Sequence, residues 1–453
     1  MEHMKEELYK KRDRQDLLEN TPIWTLIAKM SLPSVIGVMA YSIYNLCDTL
    51  FISQGEGINA LGGVAVSFPL FLLLSAVSST LGGGAASMMS RAFGEKDPEK
   101  AARIAANTFL VFYTTAILVT ILGLVFLDPL LYVMGVTDTL LPYARSYTRI
   151  ILLGAVTSTG FSNLIRAEGD SKYAMYIWVI PMSANIVLDV LFIFGLHMGV
   201  IGAALGTVLS QCMSMVMSIY FFFFSGRSIL RFSLKYFRPD IRLLGEMIGI
   251  GIPSFFQMSG MSFAIIITNQ FLRKYGGDLA ISTYGIVNKI LTFFMFPIMG
   301  LMQGIQPIIG YNRGARKDAR VKETLRKGIL SAGIYGIAAC LVLWFFASQI
   351  MYVFTSDQEV IRMGSAILAM IGTSIVFSGI QNIEAGYFQS IGKKGCSMIL
   401  VLLNQVICFI PVMSILGCYY GQQGIWYSFP VSAALALGIS TIVTVKHFAE
   451  KRA

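Results

Sequence analysis

The chain has 453 residues, 55% of them hydrophobic and only 13% charged, roughly half the charged share of an ordinary soluble domain. Its formal net charge of +10 does not point to nucleic acid. Most Lys and Arg residues sit in the two tails and in alternate loops between apolar runs, the positive-inside pattern of a membrane protein with both termini cytoplasmic. Three histidines near chain or span ends (His3, His197, His447) and six cysteines without paired spacing exclude a transition-metal centre, a disulfide framework and a nucleophile–base pair, and so argue against an enzyme.

Residues 1–23 form a charged tail without the apolar core of a cleaved signal, so the first span is itself the targeting signal. Twelve helical spans are predicted at 24–53, 59–84, 105–127, 140–164, 173–196, 199–224, 243–271, 279–308, 326–348, 360–389, 396–417 and 424–446. The expected fold is an all-α integral membrane protein of two six-helix bundles: an N-lobe at 24–224, a cytoplasmic linker at 225–242, a C-lobe at 243–446 and a tail at 447–453.

Span 1 carries Tyr41, Tyr44, Asn45 and Asp48, which share one helical face at i, i+3, i+4 and i+7. An ionised carboxylate at the bilayer centre costs roughly 2.5–3.5 kcal/mol on insertion scales, so it faces a protein interior or water and marks an ion pathway. Span 5 adds Asn185 and Asp189 four residues apart, and span 6 adds Thr207 on a face of small residues. Asp48, Asn185, Asp189 and Thr207 are all hard oxygen ligands, suited to a sodium-like cation or to a proton shared between carboxylates. The residues leave the choice of ion open.

Two halves repeat. A shift of 220 brings Leu32-Pro33-Ser34 onto Ile252-Pro253-Ser254 and Arg91–Gly94 onto Tyr311–Gly314. Six spans per half give both halves the same orientation, related by a pseudo-two-fold along the membrane normal. Pro33 and Pro253, at equivalent positions, are candidates for bending helices, and Gly94 and Gly314 for C-terminal helix stops before the loops Arg91–Arg103 and Tyr311–Arg326. The linker, with five Arg or Lys and Pro239, suits two bodies that rock.

The second half lacks the acids: by the repeat offsets Asp48 meets Thr268, Asn185 meets Cys408 and Asp189 meets Val412. Between the lobes, Met258, Met261, Met295 and Met299 with Gln257, Gln303 and Gln306 mark an adaptable drug cavity, to which Tyr41, Asn45 and Glu384 are further candidates. Lys289 in span 8 either lines that cavity or pairs with an acid.

With Pro33, Tyr44-Asn-Leu-Cys-Asp48-Thr49, Arg166-Ala-Glu-Gly169-Asp170 and the six-plus-six repeat, the chain resembles the multidrug and toxic compound extrusion (MATE) family, on its DinF-like and MepA-like side, over essentially its whole length. The resemblance implies that Asp48, Asn185, Asp189 and Thr207 form an N-lobe cation site with Tyr44 adjoining. It implies a monomeric secondary transporter of the bacterial plasma membrane, antiporting Na⁺ or H⁺ against lipophilic or cationic drugs or toxic metabolites, with no cofactor. The alternative is a flippase for lipid-linked saccharides or peptidoglycan precursors, which needs a strongly cationic cleft.

Overall fold

The computed structural model describes residues 16–56, 58–134, 136–157, 160–355 and 357–450, and among them every regular element is helical. Span 1 is Ile23–Glu56, span 2 Ile58–Gly94 and span 3 Pro98–Val125. Span 4 is broken by a bend of 47° between Leu141–Leu153 and Ala155–Ala167. Span 5 is Ser171–Gly195 and span 6 Gly199–Phe224, each ending in a π-helical turn. Spans 7 to 10 are Ile241–Tyr275, Gly277–Gly314, Asp318–Phe345 and Gln358–Ser390. A last helical run, Lys394–Glu450, is divided by Gly421, whose φ of 57° and ψ of −134° lie where only glycine rests without strain; spans 11 and 12 lie on either side. Short helices Leu127–Val133 and Ala347–Phe354 follow spans 3 and 9, at equivalent places in the two halves.

Several helices run past the apolar stretch that announces them. The predicted loop Arg91–Arg103 is helical except for Glu95–Asp97, and the predicted loop Tyr311–Arg326 except for Ala315–Lys317. Hydropathy marks where a chain meets lipid, whereas a helix continues into water until a cap stops it. Here Asp97 accepts a hydrogen bond from Lys100 N at 2.8 Å with Pro98 opening the helix, a strong N-terminal signal.

Gly94 and Gly314 are not the left-handed stop residues; Lys96 and Arg316 are, at φ 59° and 56°. Asp97 N reaches back to Ala92 O, and Lys317 N to Asn312 O, each at 2.9 Å, the wrap that closes a helix C-terminus. The two glycines serve closeness instead. A Cβ on Gly94 would strike the Tyr311 carbonyl oxygen, and one on Gly314 the Arg91 carbonyl oxygen. The two contacts are images of each other under the 220-residue shift, so spans 2 and 8 cross where the pseudo-two-fold passes.

The bundles meet at the Lys- and Arg-rich end, called the basic end below. There Ser87 donates to Gln389 O at 2.8 Å, Ser31 donates to Leu301 O at 3.2 Å, and Arg91 lies 3.6 Å from Glu246. The segment before span 1 is latched onto the opposite bundle: Lys317 pairs with Glu19 at 2.8 Å, Arg320 donates to Thr21 O at 2.8 Å, and Leu18 is buried in the shared core. The hydrogen bond from Lys317 holds the Glu19 carboxyl below its ordinary value.

The linker is strapped to the N-lobe rather than left free between two bodies. Glu168 accepts from the Ser228 hydroxyl at 2.7 Å and from Ile229 N at 2.8 Å, Asp170 pairs with Arg227 at 3.0 Å, and Asn107 bonds both Tyr236 O and Asp240 N. The strap ends at Asp240, which caps span 7 by accepting from Arg242 N and Leu243 N.

Candidate functional site

Span 1 runs unbroken through Pro33 and presents Tyr44 and Asp48 to spans 5 and 6. The Tyr44 and Thr207 hydroxyls lie 3.3 Å apart. Asn185 and Asp189 are fully buried and Thr207 nearly so. Close approach of spans 5 and 6 is set by Gly206, where a Cβ would run into Asp189 Oδ1 and stand 3.4 Å from Asn185 Nδ2. Directly after Asp189 the helix changes to π-helical bonding over Val190–Gly195, a local widening often found at functional sites.

The four oxygen-bearing residues from spans 1, 5 and 6 are thus brought together, and they are conspicuously unsatisfied. Asp48 Oδ1, both polar atoms of the Asn185 amide and both carboxylate oxygens of Asp189 are buried without a hydrogen-bond partner. Buried polar groups are nearly always paired, and each orphan costs about 1–3 kcal/mol. The Asp48 and Asp189 carboxylates also lie close enough to act on each other electrostatically. A hard cation or a proton placed among these oxygens would satisfy the orphans and remove the repulsion.

Tyr147 joins the site unannounced by the sequence. It is buried, comes from span 4, and lies beside Thr207, Asp48 and Asp189. Its neighbours Arg145 and Arg149 make this stretch look like a span end, which hides it.

A cavity of about 340 Å³ lies between the bundles, within the size of drug-binding sites. Tyr41, Gln257, Met258, Met299, Gln303 and Gln306 line it. Four other candidates are held elsewhere. Asn45 donates to Tyr41 O at 2.8 Å within its own helix. Met295 packs against the C-lobe core. Met261 is exposed one turn beyond Gln257 and Met258. Glu384 is buried and accepts hydrogen bonds from Ser440 and, at 3.1 Å, Thr441 of span 12, so it faces a neighbouring helix.

The cavity wall also holds residues that the sequence did not single out: Trp178, Asn163, Gln211, Asn382 and Gln389. With Gln257, Gln303 and Gln306 these make seven carboxamides, while none of the described residues that line the cavity is charged. Tyr41 connects the two sites. Its ring lies edge-on to Trp178 at 5.5 Å and 6.0 Å from Tyr44, whose hydroxyl meets Thr207.

Among the described residues, the C-lobe region equivalent to this site gathers no carboxylates. Thr268, the counterpart of Asp48, is buried with its hydroxyl turned back to Ala264 O at 2.7 Å. Around it Tyr284, Trp426, Phe409 and Phe429 pack ring to ring at 4.9–6.1 Å.

The MatE family model matches residues 33–191 and 253–415. The multidrug export protein MepA of Staphylococcus aureus strain MSSA476 is 28% identical over 430 residues, 94% of either chain, and MepA of Staphylococcus haemolyticus is 27% identical over 429 residues. A crystal structure of MATE in complex with MaD3S superposes with a TM-score of 0.92 at 26% identity, covering 97% of this chain and 99% of that one. The outward-facing conformation of a multidrug resistance MATE family transporter gives 0.92 at 25% identity, covering 97% and 98%.

Proposed function

This chain belongs to the MatE family and is a multi-pass multidrug efflux transporter, and from that premise we infer that it is a secondary antiporter driven by a cation bound at Asp48, Asn185, Asp189 and Thr207. The observation that carries this reading is the set of buried, partnerless oxygens at that site. The ion is Na⁺ or H⁺, and Tyr44, whose hydroxyl meets that of Thr207, orients Thr207 toward it.

The basic end is assigned to the cytoplasm of a bacterial plasma membrane by the positive-inside rule. The bundles are joined there, so the state described is the outward-facing one, in keeping with its likeness to an outward-facing relative. In the cycle, the ion enters from outside, draws Asp48 toward span 5 and shifts span 1. Tyr41 moves with span 1 against Trp178, altering the wall of the drug cavity so that drug leaves. Ion and drug then favour different states, which is the condition for coupling, because a ligand that binds both states equally shifts neither. The cavity supports lipophilic, hydrogen-bonding cargo. Among the described residues its wall contains no Lys or Arg, so the flippase reading gains no support.

The test is efflux from proteoliposomes with Na⁺ and pH gradients imposed separately. Asp48→Asn and Asp189→Asn are expected to abolish gradient-driven efflux while leaving folded protein in the membrane, and the gradient that drives the wild type identifies the ion. Full activity in both variants would sink the reading.

A further inference from the structure

Lys289 stands on span 8, twelve residues in from Gly277, roughly 18 Å along the helix at 1.5 Å per residue. It is exposed, as are Ser282 and Gly285. These three continue, at helical spacing, the line of Phe296, Met299 and Gln303 along the cavity wall. The other side of the helix, with Tyr284, Val287 and Leu291, is buried in the C-lobe core. Lys289 therefore faces the cleft, on the outer side of the cavity.

Its depth can be read from the crossing of spans 8 and 1. Gly304 packs on Ser31 and Gly300 on Val35, so the helices run antiparallel, and stepping from Gly300 back to Lys289 corresponds to stepping from Val35 out to about Leu46. Lys289 is level with the Asn45–Asp48 stretch across the cleft. Among the described residues it has no ion-pair partner.

An ammonium at this depth is costly and marks a substrate path or a counter-ion. The uncharged cavity wall adds the second half of the argument. A permanently cationic drug must pass a like charge and then finds no carboxylate to replace its lost hydration. A lipophilic molecule bearing a carboxylate meets Lys289 at the entrance and carboxamide N–H donors inside.

We propose that Lys289 is a specificity-determining residue of the drug pathway, favouring lipophilic zwitterions and monocarboxylates over their permanently cationic analogues. The proposal deepens the efflux reading and rests on it. Rhodamine 110, a zwitterion with a free carboxylate, and its methyl ester rhodamine 123, a cation, differ only at the group in question. Their binding to purified protein is measured by fluorescence polarisation, and their efflux in proteoliposomes, for wild type, Lys289→Met, Lys289→Gln and Lys289→Arg, with elution as a single folded species as the check.

The neutral variants are expected to lower the acid-to-ester ratio of affinities about tenfold, as for a hydrogen bond to a charged group, and Lys289→Arg to retain most of it. An unchanged ratio in a folded neutral variant overturns the proposal, and so does a wild type that binds neither dye. Asp48→Asn is run alongside. Loss of ion-driven efflux there with the binding ratio intact separates the two claims: the ion-site reading fails through Asp48, the charge preference through Lys289.

Discussion

The two lobes share one helical plan and differ in what fills the same place. In the N-lobe, spans 1, 5 and 6 enclose five buried polar atoms without partners. In the C-lobe, the equivalent region is a ring-to-ring apolar pack around Thr268, whose hydroxyl is satisfied within its own helix. A packed core has one low-energy arrangement, whereas a cluster of unsatisfied oxygens has a different optimum with and without an ion. On the proposed antiport reading, the N-lobe is then the body whose packing responds to the ion, and the C-lobe the one against which it works.

The largest expected effect is the complete loss of coupled efflux in Asp48→Asn and Asp189→Asn, which turns the N-lobe into a second, inert C-lobe. The reverse exchange is next. Thr268→Asp buries a carboxylate in the C-lobe pack without the amide or second acid that would hold an ion, and should cost about 2.5–3.5 kcal/mol, read as a lowered unfolding midpoint in detergent. A stable Thr268→Asp protein that binds an extra cation by calorimetry would break the asymmetry.

Gly206→Ala sharpens it. The added methyl must displace Asp189 Oδ1, so gradient-driven efflux should fall tenfold or more, at a cost near 1–3 kcal/mol for overpacking, with fold and drug binding retained. The smallest effect is at the basic end. Glu19 is held below its ordinary carboxyl value by Lys317, so its contribution to closure is present above that ordinary value, about 4.3, and is lost only as pH falls through the lowered one. Between pH 5.5 and 8 the accessibility of a cysteine placed at the basic end should not change on this account. Glu19→Gln should loosen closure by no more than about 1 kcal/mol, and salt should weaken the difference. A closure that titrates near pH 7 and disappears in Glu19→Gln would overturn this.

Much of the candidate site is legible in the chain because intramembrane acids are rare and costly. Tyr41, Tyr44 and Asp48 share a face by spacing alone, and the gathering of Asn185, Asp189 and Thr207 around them follows from polar stripes having nowhere else to go. Residues of ordinary type stay invisible: Tyr147 beside two arginines, Trp178 among other aromatics, and the carboxamides of spans 4, 6 and 10 carry no signal that separates cavity wall from packing. Glu384 shows the converse. Its spacing cannot reveal that Ser440 and Thr441, more than fifty residues later, are its partners.

The sequence by itself determined the twelve spans, the two-fold repeat and the one-sided placement of acid, because the bilayer forces apolar length and penalises every charge that lacks a reason. The tertiary structure alone decided which polar atoms are left without partners, which glycines bring spans 2 and 8 into contact, and that Glu384 meets span 12. Helical periodicity assigns a side chain to a face, and only the packing of one helix on another says what that face meets.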